Sequence, residues 1–401
     1  MFLYRPFDLD SRVEREARSL VAAGYEVEVL CLPGEGLPER ETRDGYAIRR
    51  IWPFSRLTGA ASRLAQSRAP RPIPGLAFRA HALLIMRTWS RRASAAAAER
   101  PADVYIGHDL DGMPPAVRAK RRLGGPLVYD AHELYPDMAA KNRPDYELKG
   151  WIRWESRLIR HADLVFAVTA SRAEEMRRRF GGEAPVVLRN VPETTVDGEV
   201  TGPVADLRQE LGIDAGAKLL LYLGGLMPTR GLEEAVRALA SLPDCVLVMM
   251  GSGMPAYPRM LRELAESEGV ADRLFIREPV RPHEVVAVAA QADVGLILNH
   301  HVGLNNYLSL PNKIFESVAA GLPIVTSDFP DMADLIRHYE VGETCDPEDP
   351  TDVARAVRAV VDDPERLARL RENAEKAAPE LTWERESEIF LSRIGELAAP
   401  R

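Results

Sequence analysis

Short apolar runs alternate with longer polar stretches along the whole chain. In the first half, the runs at 2–4, 26–32, 47–52, 103–106, 127–130, 164–168 and 186–188 read as strands. In the second half, 219–223, 245–250, 274–277, 294–298, 324–327 and 343–346 read the same way. Helix-length stretches separate them, so the pattern predicts βαβ units and parallel sheets covered on both faces. Between Pro192 and Val204 the text changes to "PETTVDGEVTGPV", polar, rich in Thr and Gly and without a helical period, which marks a linker. The expectation is an α/β protein of two Rossmann-like, doubly wound domains facing a cleft. The first covers 1–195, the second 203–380, and a C-terminal helix over 381–401 packs back across them.

A length of 401 residues with 46% apolar content suits two domains with large cores. Cys31, Cys245 and Cys345 are far apart and odd in number, which fits buried reduced thiols better than disulfides or a zinc site. No apolar run approaches the roughly 18 residues that span a bilayer. The opening "MFLYRPFDLD" has no signal-peptide core and reads as a strand already under way, so a cytoplasmic location is expected. Net charge is −8 but uneven, because 49–100 holds eleven Arg against the single acid Glu99. Within it, "AFRAHALLIMRTWSRR" interleaves Arg with apolar residues. Such a segment can rest peripherally on the inner face of a membrane or meet an anionic acceptor; the competing reading is a solvated helical face. No nucleic-acid reader motif accompanies the charge, so nucleic acid is not an expected partner.

"SLPNKIFESVAAGLPIVTSD", Ser309–Asp328, carries the densest chemistry. Pro311 suits the first helical position and Gly321 the helix end. A helix start that follows a strand and loop aims free N–H groups and a positive dipole at an anion such as a diphosphate. Lys313 adds a full charge there. Glu316, one turn on, can accept hydrogen bonds from two ribose hydroxyls; the plain alternative is a surface i, i+3 ion pair. In "LLLYLGGLMPTRGLEEAVRAL", Gly224 and Gly225 permit close approach of a ligand to backbone, and Arg230 can reach a phosphate with its planar fork. "MMGSG", ending at Gly253, is a weaker Gly turn.

Together, "YLGGLMPTRGLEEAVRAL", "LVMMGSG" and "SLPNKIFESVAAGLPIVTSD" resemble the donor-binding half of retaining family-4 glycosyltransferases. "DSRVEREARSLVAAGYEVEVL", "DVYIGHDLDGMP", "LVYDAHELYPD" and "VLRNVPE" resemble its first half, in the family's order. The resemblance implies the GT-B fold, a UDP- or GDP-linked sugar as co-substrate, transfer with retention, and no required metal or other cofactor. The implied donor set is Gly224, Gly225, Arg230, Gly253, Asn306, Leu310, Pro311, Asn312, Lys313 and Glu316. Glu316 matches the ribose-binding acid, and Arg230 stands where the family has a phosphate-binding Lys. His132 matches the histidine facing donor sugar and acceptor, while His108, Asp109 and Glu133 lie on the acceptor side. Catalysis is expected from His132, Arg230 and Lys313.

Two positions depart from the family. Gly225 replaces a frequent Arg, and Lys313 can supply the lost charge. Leu308 replaces a frequent Glu, so Asn305, Asn306 or His300 would have to meet the donor sugar. "DLD", Asp109–Asp111, is not expected to bind metal. The implied activity moves a sugar to a hydroxyl acceptor in cell-surface polysaccharide or glycolipid synthesis. A non-catalytic sugar-nucleotide sensor and a sugar-nucleotide epimerase of the same fold are the alternatives.

Overall fold

The computed structural model describes residues 1–8, 10–53, 75–138, 144–193 and 204–399. Most of the expected linker, and residues 54–74 of the basic segment, therefore lie outside the described residues. The chain divides into two compact units, one running to Asp137, resuming to Leu188 and taking in the end of the chain from Ser387, the other built mainly from Arg189–Glu386.

The first unit holds β1 (Phe2–Pro6), β2 (Glu28–Leu32), β3 (Arg40–Arg43), β4 (Tyr46–Arg50), β5 (Tyr105–His108), β6 (Leu127–Ala131), β7 (Leu164–Ala167) and β8 (Val186–Val187). Their order is β3-β4-β2-β1-β5-β6-β7-β8. Every pair is parallel except β3–β4. The sequence pattern misses β3 because "RETR" has no apolar residue to bury. What makes it a strand is the tight turn at Asp44 and Gly45, both with positive φ, which folds it back on β4. One face of the sheet buries Leu3, Val29, Cys31 and Ile48 against Val13 and Ala17 of the helix Ser11–Ala22. The last helix, Trp383–Ala398, sets Phe390 on Phe166 of β7 at 5.7 Å between ring centroids.

The second unit holds β9 (Lys218–Leu223), β10 (Cys245–Met250), β11 (Leu274–Arg277), β12 (Val294–Ile297), β13 (Ile324–Ser327) and β14 (Gly342–Cys345), in the order β11-β10-β9-β12-β13-β14 and all parallel. Both faces are covered: Leu220, Leu247 and Val294 pack on one side, Leu219, Leu221 and Val248 on the other. That is why "CVLVMM" is apolar throughout rather than alternating. Strand order reverses between β1 and β5 in one sheet and between β9 and β12 in the other. Open parallel sheets bind ligands outside the carboxyl ends of the strands at such a reversal.

Candidate functional site

In the first unit, the polar residues converge at the carboxyl ends of β1, β5 and β6. Asp130 and His132 are two apart across the end of β6, so their side chains lie on the same side. Asp130 is fully buried and collects four contacts. Arg12 donates from Nε at 3.1 Å and from Nη2 at 2.6 Å; His108 Nδ1 lies at 3.1 Å and His132 Nε2 at 2.5 Å. Arg12 also donates to the Leu188 carbonyl at 3.0 Å and pairs with Glu16, one turn along its helix, at 3.0 Å. Asp10 starts that helix by accepting from the Val13 N–H.

Burial is the largest influence on each of these groups, and their charges then decide the outcome. Burial works against the charge of Asp130, but Arg12 and His132 hold its pKa well below the usual carboxylate range. Burial pushes Glu16 well above that range, with the Asp130 charge adding to it. Burial lowers His108 to about 4, more than Asp130 can restore. Burial lowers His132 too, but the Asp130 and Asp109 carboxylates overcome it and raise the group to about 9. At neutral pH, His132 is therefore an imidazolium and a hydrogen-bond donor, with no lone pair to act as a base. Its Nδ1 faces Asp109 Oδ2 at 3.6 Å and Arg5 Nη2 at 3.4 Å.

Asp109 has φ +54, in the left-handed region, at the first turn of the helix Asp109–Leu123. Its Oδ1 accepts the His132 N–H at 3.1 Å, which ties the ends of β5 and β6 together. Strain held in place by such contacts is common at functional sites. Asp111 is half-buried, takes a hydrogen bond from the Tyr135 hydroxyl at 3.3 Å, and is raised to about 7 by burial and by Asp109.

The structure brings His108, Asp109 and His132 together, and two of the acceptor-side expectations need revision. The His108 side chain has no exposure, so it supports Asp130 from beneath instead of lining an acceptor pocket. Glu133 is turned to Arg172, 3.0 Å away, whose Nη1 also donates to the His132 carbonyl at 2.5 Å; the pair anchors the segment. The sequence reading missed Arg12, Glu16 and Asp130. Two charged residues at i, i+4 in "DSRVERE" and the D-x-H spacing in "YDAHE" were the available signals. No metal-ligating set was expected, yet Glu16, His108, Asp130 and His132 offer ligand atoms within 4.8 Å of one another. Arg12 lies in the same cluster and already meets its carboxylate charge.

In the second unit, β9 is followed directly by Gly224, with φ +147. A Cβ there would collide with the Lys313 side chain and lie 2.8 Å from Nζ, so the glycine is what lets Lys313 cross the strand end. Burial lowers the Lys313 pKa; Glu316 opposes that and Arg230 adds to it, so the three charges act on one another. Arg230 Nη1 donates to Asn299 Oδ1 at 2.9 Å. The Tyr222 hydroxyl donates to the Gly225 carbonyl at 2.8 Å and steadies the glycine turn.

The helix spans Asn312–Ala319, and Pro311, at φ −71 and ψ 146, is its N-cap. Pro311 thus sits one residue before the expected first helical position, because its ψ is extended. Gly321 follows the helix at φ +64, as its place at the helix end requires. Leu310, Asn312 and Asn306 are half-buried beside this start, and the Asn306 carbonyl accepts the Ser309 hydroxyl at 2.6 Å. Gly253 serves packing, since a Cβ there would collide with the Leu226 carbonyl. His300 does not stand free for a sugar, because its Nε2 lies 3.0 Å from Glu234 Oε2. Leu308 is 8% exposed and packs inward.

Two α/β units, each built on a mainly parallel sheet with polar groups at its strand-order reversal, make up the GT-B fold. Residues 9–190 match the glycosyl transferase 4-like domain and residues 204–377 the glycosyl transferases group 1, so the chain carries both of these glycosyltransferase domains. Among curated relatives, the D-inositol 3-phosphate glycosyltransferase of Thermobispora bispora is 26% identical over 281 residues, 66% of this chain and 64% of that protein. The one of Geodermatophilus obscurus is 28% identical over 283 residues, 67% of this chain and 60% of that protein. The chain thus spans somewhat under two thirds of these relatives' length. Among solved structures, sucrose-phosphate synthase from Thermosynechococcus elongatus superposes with TM-score 0.76 at 18% identity, covering 98% of this chain and 94% of that one. Anabaena HepE in complex with UDP gives 0.72 at 16% identity, covering 99% of both chains. At these identities the two structures speak for the fold alone.

Proposed function

We propose that this glycosyltransferase is retaining and metal-independent and takes a UDP- or GDP-sugar to a hydroxyl acceptor. The observation that carries the reading is the second-unit constellation: Lys313 laid across Gly224 at the end of β9, within electrostatic reach of Arg230 and Glu316. Lys313, Arg230 and the N–H groups that open the helix Asn312–Ala319 would hold the diphosphate. Glu316 would accept from the ribose hydroxyls. In the reaction, the bond from the anomeric carbon to the diphosphate breaks and the acceptor oxygen bonds on the same face. The acceptor proton passes to the departing phosphate oxygen. Stabilising the charge on that oxygen is the main catalytic task, and two side-chain cations perform it without a metal. The His132 imidazolium would donate to a sugar hydroxyl.

The acceptor is proposed to belong to cell-surface polysaccharide or glycolipid assembly, reached through peripheral contact with the inner membrane face. Among the described residues, no helix is long and apolar enough to cross a membrane. The helix Gly75–Ala97 exposes Leu83 and Leu84 beside Arg87 and Arg91, which supports a surface contact.

A thermal-shift screen of UDP, GDP, ADP and TDP with their sugar conjugates, on the wild type and Glu316→Ala, tests the donor site. One nucleotide family should stabilise the wild type more than the variant. No shift with any nucleotide would refute the reading. The anomeric configuration of the product, read by NMR, tests retention. Interconversion of donor epimers without transfer would support the epimerase, and binding without turnover or donor hydrolysis would support the sensor.

A further inference from the structure

We propose that Asn299 is a positioning residue for the transfer reaction: its neutral amide oxygen aims the Arg230 guanidinium at the nucleotide diphosphate without cancelling its charge. The inference rests on the reading of Arg230 as a phosphate-binding group.

Asn299 lies just past β12, beside β9, where the strand order of the second sheet reverses. It is 4% exposed, and its carbonyl accepts the Ser327 hydroxyl at 2.8 Å, so its backbone is held from β13. From that fixed place, Oδ1 accepts from Arg230 Nη1 at 2.9 Å.

The backbone on either side is locked to the same loop. The His300 N–H donates to the Thr229 carbonyl at 3.0 Å. Gly231, at φ +65, lies flush on Leu298, where a Cβ would collide with both the side chain and the carbonyl. His300 Nε2 lies 3.0 Å from Glu234 in the helix that follows. Thr229 is β-branched and sits at φ +72, a conformation that persists only when its surroundings over-determine it. Leu298, Asn299 and His300 thus grip residues 229–231 by backbone contacts on both sides, and the Asn299 side chain sets the direction of the one charged group between them.

The choice of an amide has a chemical consequence. Guanidinium carries five N–H donors, and among the described residues Asn299 takes one of Arg230's. A carboxylate in the same place would orient Arg230 equally well but would offset its charge and repel the incoming phosphate oxygens. An amide oxygen orients the fork and leaves the charge for the ligand.

The test compares Arg230→Ala, Asn299→Ala, Asn299→Asp and the double variant Arg230→Ala/Asn299→Ala. Affinity for UDP and GDP is read by titration calorimetry and turnover by hydrolysis of the matching sugar nucleotide. Melting temperature without ligand is read as a folding check. Asn299→Asp keeps the volume and the acceptor atom, so it separates charge from packing. Expected are about tenfold losses in affinity or turnover for Arg230→Ala and for both Asn299 variants. The loss in turnover should exceed that in KM, and the double variant should be no worse than Arg230→Ala alone. A wild type that binds neither nucleotide, or an Arg230→Ala variant that behaves as wild type, overturns the reading of the site itself. A damaging Arg230→Ala with unaffected Asn299 variants, or with losses that add in the double variant, overturns the positioning role alone.

Discussion

His132 keeps its proton at neutral pH because two carboxylates face it from strand ends that the fold brings together. Its pKa stands raised to about 9 from an ordinary 6.5. A raised histidine stabilises the fold fully below its unfolded value, and that contribution fades as pH rises through the folded value. Wild-type stability in chemical denaturation should therefore fall between pH 6.5 and about 9, and His132→Gln should flatten the fall. An equally steep fall in the variant would assign the effect elsewhere. Lys313 is displaced in the opposite direction, lowered by burial. A bound diphosphate would raise it again, so nucleotide affinity should decline as alkaline pH removes its proton. Calorimetry should show that decline in the wild type and much less of it in Lys313→Arg, whose charge persists. Lys313→Ala should cost about 1.5–3 kcal/mol of nucleotide binding at neutral pH.

At the scale of elements, the helix Gly75–Ala97 has two faces with different tasks. Trp89 and Ala93 are buried, and the Trp89 ring meets Tyr4 edge-on at 5.1 Å. Leu83 and Leu84 are about half exposed, on the side of Arg87 and Arg91. Vesicles containing anionic lipid should sediment the protein, and Leu83→Asp/Leu84→Asp should abolish sedimentation while leaving hydrolysis of a soluble donor intact. Sedimentation that survives the double change would remove this helix from the membrane contact. The elements also show where apolar patterning succeeds. β6 and β10 are buried runs and were visible, whereas β3 is polar and is created by a turn and a partner strand. The helix Asn312–Ala319 was legible from Pro311 and Gly321 to within one residue, since a fixed φ and a left-handed glycine are local properties.

For the molecule as a whole, each unit assembles its chemistry at its own strand-order reversal, so the groups of each unit can be tested separately. Hydrogen exchange with a saturating nucleotide should slow in segments 222–231 and 297–318 of the second unit and leave 105–111 and 127–135 of the first largely unchanged. Protection appearing mainly in the first unit would place the nucleotide on the wrong sheet for this reading.

The sequence alone determined the alternation of strands and helices, the two-unit α/β class, the glycine turn at Gly224, and the helix that carries Lys313 and Glu316. Each rests on periodicity or on backbone preferences that act over a few residues. The tertiary structure decided which groups share a charge. Arg12 meets Asp130 across 118 positions and Arg230 meets Asn299 across 69. Spacing tells which face of an element a side chain takes, but the order of strands in a sheet tells which faces become neighbours. That order made His132 a cation, enclosed His108, turned Glu133 to Arg172, and gave Arg230 a neutral partner.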